Sequence, residues 1–323
     1  MMTTETEEAF LESAREAFRR DPGVGAFDAL GVWHLLDEFA DPEARAATFA
    51  VFRAHGRELG GSAALGCLLA HPYLTDDGFA PGSVAFAIPR HSARRGDVLL
   101  LAGDPSIENV LVDRPGLGAG IVSMDDIALQ PVKVAGRLCL HELAFDPEHL
   151  TTVVPEQRAK EARGRSVFLG RIAAANEILG AAEGALDLAL EHARTREQFG
   201  EPIGRFQAVR HLLAWARTDC AAVLDVIRQA VALDLAAPSR FDEIVKALAG
   251  RNGRRVCERA LQVLGGIGFT AEQDHHHFHS RVLALDSVLG ASNGLTSRLG
   301  AWLRENRNDP QIPRALLRRG AGA

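Results

Sequence analysis

Hydrophobic positions change their spacing twice along the chain. Over residues 1–72, Ala, Leu, Glu and Arg recur three to four apart within residues 8–18 and 41–59, with Pro22-Gly23 as a separator. That spacing predicts helices, in a stretch short for a domain that stands alone. Over residues 72–146 the runs become short and β-prone, at 83–88, 97–101, 109–112, 121–124, 127–132 and 138–145. Pro, Gly and Asp part them, as in a small antiparallel sheet or barrel. Over residues 156–308 the helical period returns and is strongest.

Ala175, Leu179, Ala182, Leu186, Ala189 and Ala193 form one continuous apolar stripe. Phe206, Val209, Leu213, Ala216, Cys220, Val223, Ile227 and Ala230 form a second. Ser239-x-x-Asp242 has the spacing of a capping box opening a third helix, which Gly265-Gly266 would end. A fourth stripe runs through Phe278, Val282, Leu285, Leu289, Leu299 and Leu303, with a break expected at Asn293-Gly294. Four long helices joined by short turns predict a bundle. The fold class read from these textures is mostly α with a small β-domain. It divides into a helical region (1–72), a middle β-domain (73–150), a four-helix bundle (151–310) and an Ala/Gly/Arg-rich tail (311–323) expected to be disordered.

Composition narrows the function. A net charge of −6 and a pI near 6.1 point to neither a nucleic-acid nor a membrane-surface partner. Arginines interleave with Asp and Glu at helical spacing, which reads as solvated helix faces. No apolar run reaches the roughly 18 residues a membrane span needs, and the acidic start, MMTTETEEAF, is unlike a leader peptide. The expected location is cytoplasmic. Cys67, Cys139, Cys220 and Cys257 make no C-x-x-C pair and read as buried free thiols.

Two motifs carry chemistry. The first is Thr195-Arg196-Glu197-Gln198-Phe199-Gly200-Glu201-Pro202-Ile203-Gly204-Arg205-Phe206-Gln207, in the turn between the first two bundle helices. The second is Gln262-Val263-Leu264-Gly265-Gly266-Ile267-Gly268-Phe269-Thr270, after the third. A guanidinium at a helix end can fork onto phosphate oxygens. An amide beside a Gly-Gly turn, with backbone N–H groups open to contact, suits the same ligand. Taken alone, Arg196 could equally pair with a carboxylate and the glycines merely cap a helix.

The two motifs, in this order, resemble those of the acyl-CoA dehydrogenase family, as does the sequence of helices, small β-domain and bundle. The resemblance implies FAD as cofactor and an acyl-CoA thioester as substrate. It implies that Arg196 and Gln262 reach an FAD bound mainly by a neighbouring subunit. Phe199, Gln207, Gly265 and Gly266 match positions lining the same groove, and Arg171 matches an arginine at the substrate site.

The family abstracts an α-proton with a glutamate, placed in either of two positions. Here those positions hold Leu289, before Gly290, and Gly170, before Arg171. Neither 167–172 nor 287–292 contains an acid. The family's T-E-P-type turn and Trp-bearing strand are also unmatched between residues 72 and 146, and the helical start is shorter by several turns. Similar absences mark one subunit type of actinobacterial α2β2 acyl-CoA dehydrogenases, several of which act on steroid side-chain thioesters. Residues 274–290 resemble the corresponding helix there. The expectation is a base-free subunit whose paralogous partner, in a dimer or heterotetramer, supplies the glutamate. The rival readings are a free-standing homo-oligomeric flavoprotein with altered thioester chemistry and a flavin-free scaffold for a paralogue.

Three other features invite a chemical reading. His275 and His279 are four apart, but no Glu completes a zinc motif, so an ordinary polar helix start and no metal are expected. Pro115-Gly116-Leu117-Gly118-Ala119-Gly120 reads as a glycine-rich turn, because no helix follows it. Asp286, the acid nearest Leu289, reads by default as a solvated or interface carboxylate.

Overall fold

The computed structural model describes residues 4–74, 78–80, 82–92, 96–102, 104, 106–132, 136–232 and 240–306. Ser239 of the expected capping box and the 311–323 tail lie outside them. The chain opens with α1 (Thr4–Arg20), α2 (Val24–Ala29), α3 (Val32–Asp37), α4 (Pro42–Arg57) and α5 (Ala64–Ala70). Asp41 caps α4 by accepting from the Glu43 N–H at 3.1 Å, with Pro42 in the first turn. The short α2 and α3 were not expected, since neither spans two full turns of periodicity. They exist because Phe27, Trp33 and Leu36 are buried, Phe27 lying 5.1 Å from both Phe18 and Phe52.

Eight strands follow: β1 (Val84–Phe86), β2 (Ile88–Ser92), β3 (Gly96–Ala102), β4 (Asn109–Arg114), β5 (Gly118–Ser123), β6 (Ile127–Pro131), β7 (Leu140–Phe145) and β8 (Thr151–Val154). They form two four-stranded sheets, ordered β1-β4-β5-β8 and β2-β3-β7-β6. The second is antiparallel throughout, as expected, with Ile127 opposite Phe145 and Leu99 opposite Leu143. In the first, β1 pairs with β4 in parallel, Val84 opposite Asn109. The run at 83–88 had read as one strand; it divides at Ala87 between the two sheets. The glycine-rich turn extends into β5, and β8 was missed altogether.

The bundle comprises α6 (Glu156–Thr195), α7 (Gln207–Ala232), α8 (Phe241–Leu264), α9 (His275–Ser287) and α10 (Ser292–Glu305). Between α6 and α7 lies a small hairpin, β9 (Glu197–Gln198) with β10 (Glu201–Pro202). All six residues of the first predicted stripe are buried, as are Ala216, Cys220, Val223, Ile227 and Ala230 of the second. Arg171 of α6 meets Asp242 of α8, and Ile178 lies against Gly253, so these two helices run parallel. Phe278 against Gly184 and Arg281 beside Glu177 make α9 antiparallel to α6.

The N-terminal helices are fastened to the bundle where α4 crosses α6. A β-carbon on Gly56 would strike the Glu177 carbonyl, and one on Gly180 the Arg53 carbonyl. Glycine at both positions lets the two backbones touch. At this crossing Arg53 forks onto Glu183 at 2.9 and 2.6 Å and Arg281 is buried beside Glu177. Elsewhere Lys246 is buried near Asp286, and Arg45 donates to the carbonyls of Val231, Phe39 and Ala40. These buried cations correct the reading of the arginines as solvated faces. Arg53, Arg281 and Lys246 look peripheral in sequence and are buried beside acids that arrive from a distant helix.

Candidate active site and ligand-binding end

The expected break at Asn293-Gly294 lies elsewhere; both residues are inside α10. The chain breaks at Val288–Ala291, where Leu289 (φ 57°) and Gly290 (φ 108°) both take the left-handed conformation. This backbone is natural for glycine and costs a side-chain-bearing residue about 1–2 kcal/mol. Three cation contacts hold it. Arg171 Nε donates to the Leu289 carbonyl at 3.0 Å. Lys246 Nζ donates to the carbonyls of Asp286 at 3.1 Å and Gly290 at 3.4 Å.

The turn delivers Leu289 onto Gly170. A β-carbon built at 170 would lie 2.7 Å from Leu289 Cδ1 and would also strike Leu69 Cδ2. Leu289 belongs to the apolar cluster of Leu69, Ala70, Tyr73, Val84 and Phe86. The two positions singled out as lacking an acid therefore face each other, and leucine side chains fill the space between them.

Asp286 does not occupy that space and is not simply solvated. Its Oδ1 accepts from the Ser292 N–H at 3.1 Å, its Oδ2 from the Ser292 hydroxyl at 3.0 Å, and Lys246 Nζ stands 3.7 Å away. It caps α10. Burial pulls the Lys246 ammonium down to about 8 against the opposing pull of Asp286. Arg171 is likewise engaged, its Nη1 2.7 Å from Asp242 Oδ2 and 3.4 Å from Glu243 Oε1. Burial raises the Asp242 carboxyl although Arg171 opposes it. Arg171 lines a chamber of about 460 Å³ with Lys160, Arg163, Val167, Phe168 and Arg240.

At the opposite end, the C-termini of the parallel helices α6 and α8 emerge together. Arg196 caps α6 and is exposed, and among the described residues no carboxylate pairs with it. Phe199 is 95% exposed, with φ 55°, at the tip of the β9–β10 hairpin. Gln207 opens α7 and is exposed, as is Gln262 in the last turn of α8. Gly265 caps α8 at φ 63°, and neither it nor Gly266 has anything near its missing side chain. Phe269 beside them is 79% exposed. An uncommitted cation, open backbone and two bare aromatic rings thus share one end of the bundle.

Residues 165–303 match the family described as Acyl-CoA dehydrogenase, C-terminal domain. Across 72% of the chain there is 30% identity to acyl-CoA dehydrogenase FadE27 of Mycobacterium tuberculosis, covering 59% of that protein. Residues 165–303 belong to that C-terminal-domain family. FadE34 of the same organism is 37% identical over 134 residues, 40% of this chain and 18% of FadE34. The chain thus spans less than two thirds of these curated relatives. A chain of the ChsE4–ChsE5 complex from M. tuberculosis shares the fold, with a TM-score of 0.70 at 21% identity, covering 94% of this chain and 99% of that one. Among the described residues, no helix is long and apolar enough to cross a membrane.

Sequence reasoning missed one polar cluster. His55 Nδ1 lies 3.3 Å from Glu177 Oε1, Arg281 Nε lies 3.5 Å from the same oxygen, and the Ser62 hydroxyl is 3.0 Å from His55 Nε2. Burial pushes His55 below its ordinary value. Glu177 stays below its own, because His55 and Arg281 outweigh the burial that would raise it. The imidazole thus lies between a hydroxyl and a carboxylate that Arg281 also approaches. Only the charged residues' helical spacing was visible beforehand. The histidine run corrects the expectation of a polar helix start. His275 is buried, its Nε2 2.8 Å from the Cys257 carbonyl, and no metal-ligand group occurs among the described residues. Cys67, Cys220 and Cys257 are buried as expected, whereas Cys139 is exposed.

Proposed function

We propose that this chain is the base-free subunit of a heteromeric, FAD-dependent acyl-CoA dehydrogenase, in which a paralogous subunit supplies the catalytic glutamate. The observation that carries this reading is the packing of Leu289 against Gly170 and Leu69. A general base must stand within hydrogen-bond reach of the proton it takes. Here both candidate positions carry apolar groups, Asp286 is spent on capping α10 and pairing with Lys246, and Asp242 and Glu243 are paired with Arg171.

The α6/α8 end fits FAD. The unpaired Arg196 guanidinium suits a pyrophosphate, which it would engage with two parallel N–H donors. Gly265 and Gly266 leave room for a phosphate or ribose to approach the backbone. Gln262 and Gln207 would offer amides, and Phe199 an apolar ring face. FAD, when bound, accepts hydride from the β-carbon of the acyl group. This chain's residues would bind and orient the cofactor at the subunit interface and leave proton abstraction to the partner. The ChsE4–ChsE5 complex, one chain of which shares this fold, is a precedent for such a pairing.

The test is flavin content per chain. Purified alone, the protein should hold little FAD and show no acyl-CoA dehydrogenase activity. Co-expressed with a family member that keeps the glutamate, it should co-purify yellow and active. Stoichiometric FAD in the chain purified alone overturns the proposal.

A further inference from the structure

We propose that a second chamber, between α1, α4, α6 and α7, binds an apolar molecule carrying one neutral hydrogen-bond donor such as a hydroxyl group. Its volume is about 550 Å³, within the range of small-molecule sites. Leu11, Ala46, Phe49, Leu224, Ile227 and Val231 give it an apolar wall, and the exposed side chains of Asp41, Glu43 and Arg228 also line it. It lies on a different face of α6 from Gly170: Asn176, its contribution from that helix, is six residues on, about 120° around the helix axis from Gly170. Neither the Leu289 packing nor the Arg196 end takes part in it.

Asn176 gives the chamber its specificity. The residue is only 3% exposed and lines the chamber wall. Its Nδ2 donates to the Ile172 carbonyl at 2.9 Å, which fixes the amide orientation and leaves Oδ1 to accept. Among the described residues no donor meets that oxygen. It is also absent from the sealed, unpaired polar atoms of the interior, so it faces the chamber. A carboxamide oxygen in an apolar wall gains a partner only from what enters.

The nearby charge does not favour an ionic ligand. Arg53 also lines the chamber, but its guanidinium already forks onto Glu183 at 2.9 and 2.6 Å. Asp41, Glu43 and Arg228 are exposed, so a charged head drawn inward to the buried Asn176 would leave both water and these ions behind. A neutral hydroxyl meets the open acceptor of Asn176, and an apolar body covers the apolar wall.

The experiment titrates the full chain calorimetrically with decanol and with methyl decyl ether, which has a similar apolar body and no donor. Decanol should saturate one site and bind about three- to tenfold more tightly than the ether, the range of one net hydrogen bond. Asn176→Leu should erase that preference while both still bind. Ala46→Trp should fill the chamber and weaken both more than tenfold. Should Asn176→Leu fail to fold, the decanol-to-ether ratio in the native chain and the Ala46→Trp result decide together. Three outcomes overturn the proposal: no saturable binding, meaning a chamber holding water only; equal affinity for both probes in the native chain; or binding unaffected by Ala46→Trp.

Discussion

Arg171 Nε donates to the Leu289 carbonyl at 3.0 Å, so the arginine beside one acid-free position ties down the residue standing in the other. The same guanidinium neutralises Asp242 and, at longer range, Glu243, both buried. Arg171→Ala should therefore cost about 3–5 kcal/mol in urea unfolding, because it strands the buried Asp242 carboxylate, whereas Glu243 keeps Arg240. A loss under 1 kcal/mol would show that Arg171 is not needed to hold the turn.

Gly170→Ala should destabilise the chain by about 1–3 kcal/mol, the usual cost of overpacking. The added methyl meets only the ends of Leu289 and Leu69, so Leu289→Ala should recover part of the loss. The double mutant should then be more stable than the sum of the two single changes predicts. Strict additivity would mean that the two residues do not share the space.

Arg196→Ala in the co-purified complex should weaken flavin retention by roughly one to two decades, as expected for losing a charge-assisted fork of about 1.5–3 kcal/mol. Because the side chain is exposed, far-ultraviolet circular dichroism should be unchanged. Normal flavin content and activity would remove the cofactor role from this residue.

Lys246 gives a pH signature of defined sign. Its folded value of about 8 lies below the 10.5 of an unperturbed lysine, so the unfolded chain holds this proton more tightly. Unfolding takes up a proton between those values, and stability from this group rises with pH across that window. Relative to Lys246→Met, the native chain should gain about 2 kcal/mol from about pH 7.5 to about pH 9.5. A difference that stays flat or shrinks would contradict the burial of a charged amine.

Asp286→Asn should lower stability by about 1–3 kcal/mol, since it discharges the Lys246 partner and weakens the α10 cap. Turnover of the co-purified complex, per folded enzyme, should stay within a few-fold of normal. Abolished turnover with FAD still bound would make Asp286 the base and overturn the base-free reading.

The bundle was legible from sequence because Ala175 to Ala193 and Ala216 to Ala230 repeat at a period that only a helix satisfies. The break before α10 was misplaced for a physical reason. Asn293-Gly294 is a strong local turn signal, yet it lies in a helix capped by Asp286. The actual turn is stabilised by Arg171 and Lys246, which reach it from other helices. Buried cations were illegible for the same reason: Arg53 and Arg281 have the composition of a wet face, and only the fold brings Glu183 and Glu177 to them. Asn176 sits near the first stripe and looks unremarkable until its neighbours from α4 and α7 are in place.

The crossing of α4 and α6 has a consequence for how the protein is made. Arg53 and Glu183 are 130 residues apart in the chain, and all eight strands of the two sheets lie between them. During synthesis at about 5–20 residues per second, α4 waits several seconds with an unpaired arginine and a bare glycine face before α6 reaches it. Over that interval the nascent N-terminal helices expose surface that only a later segment can cover. A slow-translating stretch within residues 84–154 would prolong that exposure and favour capture by a chaperone.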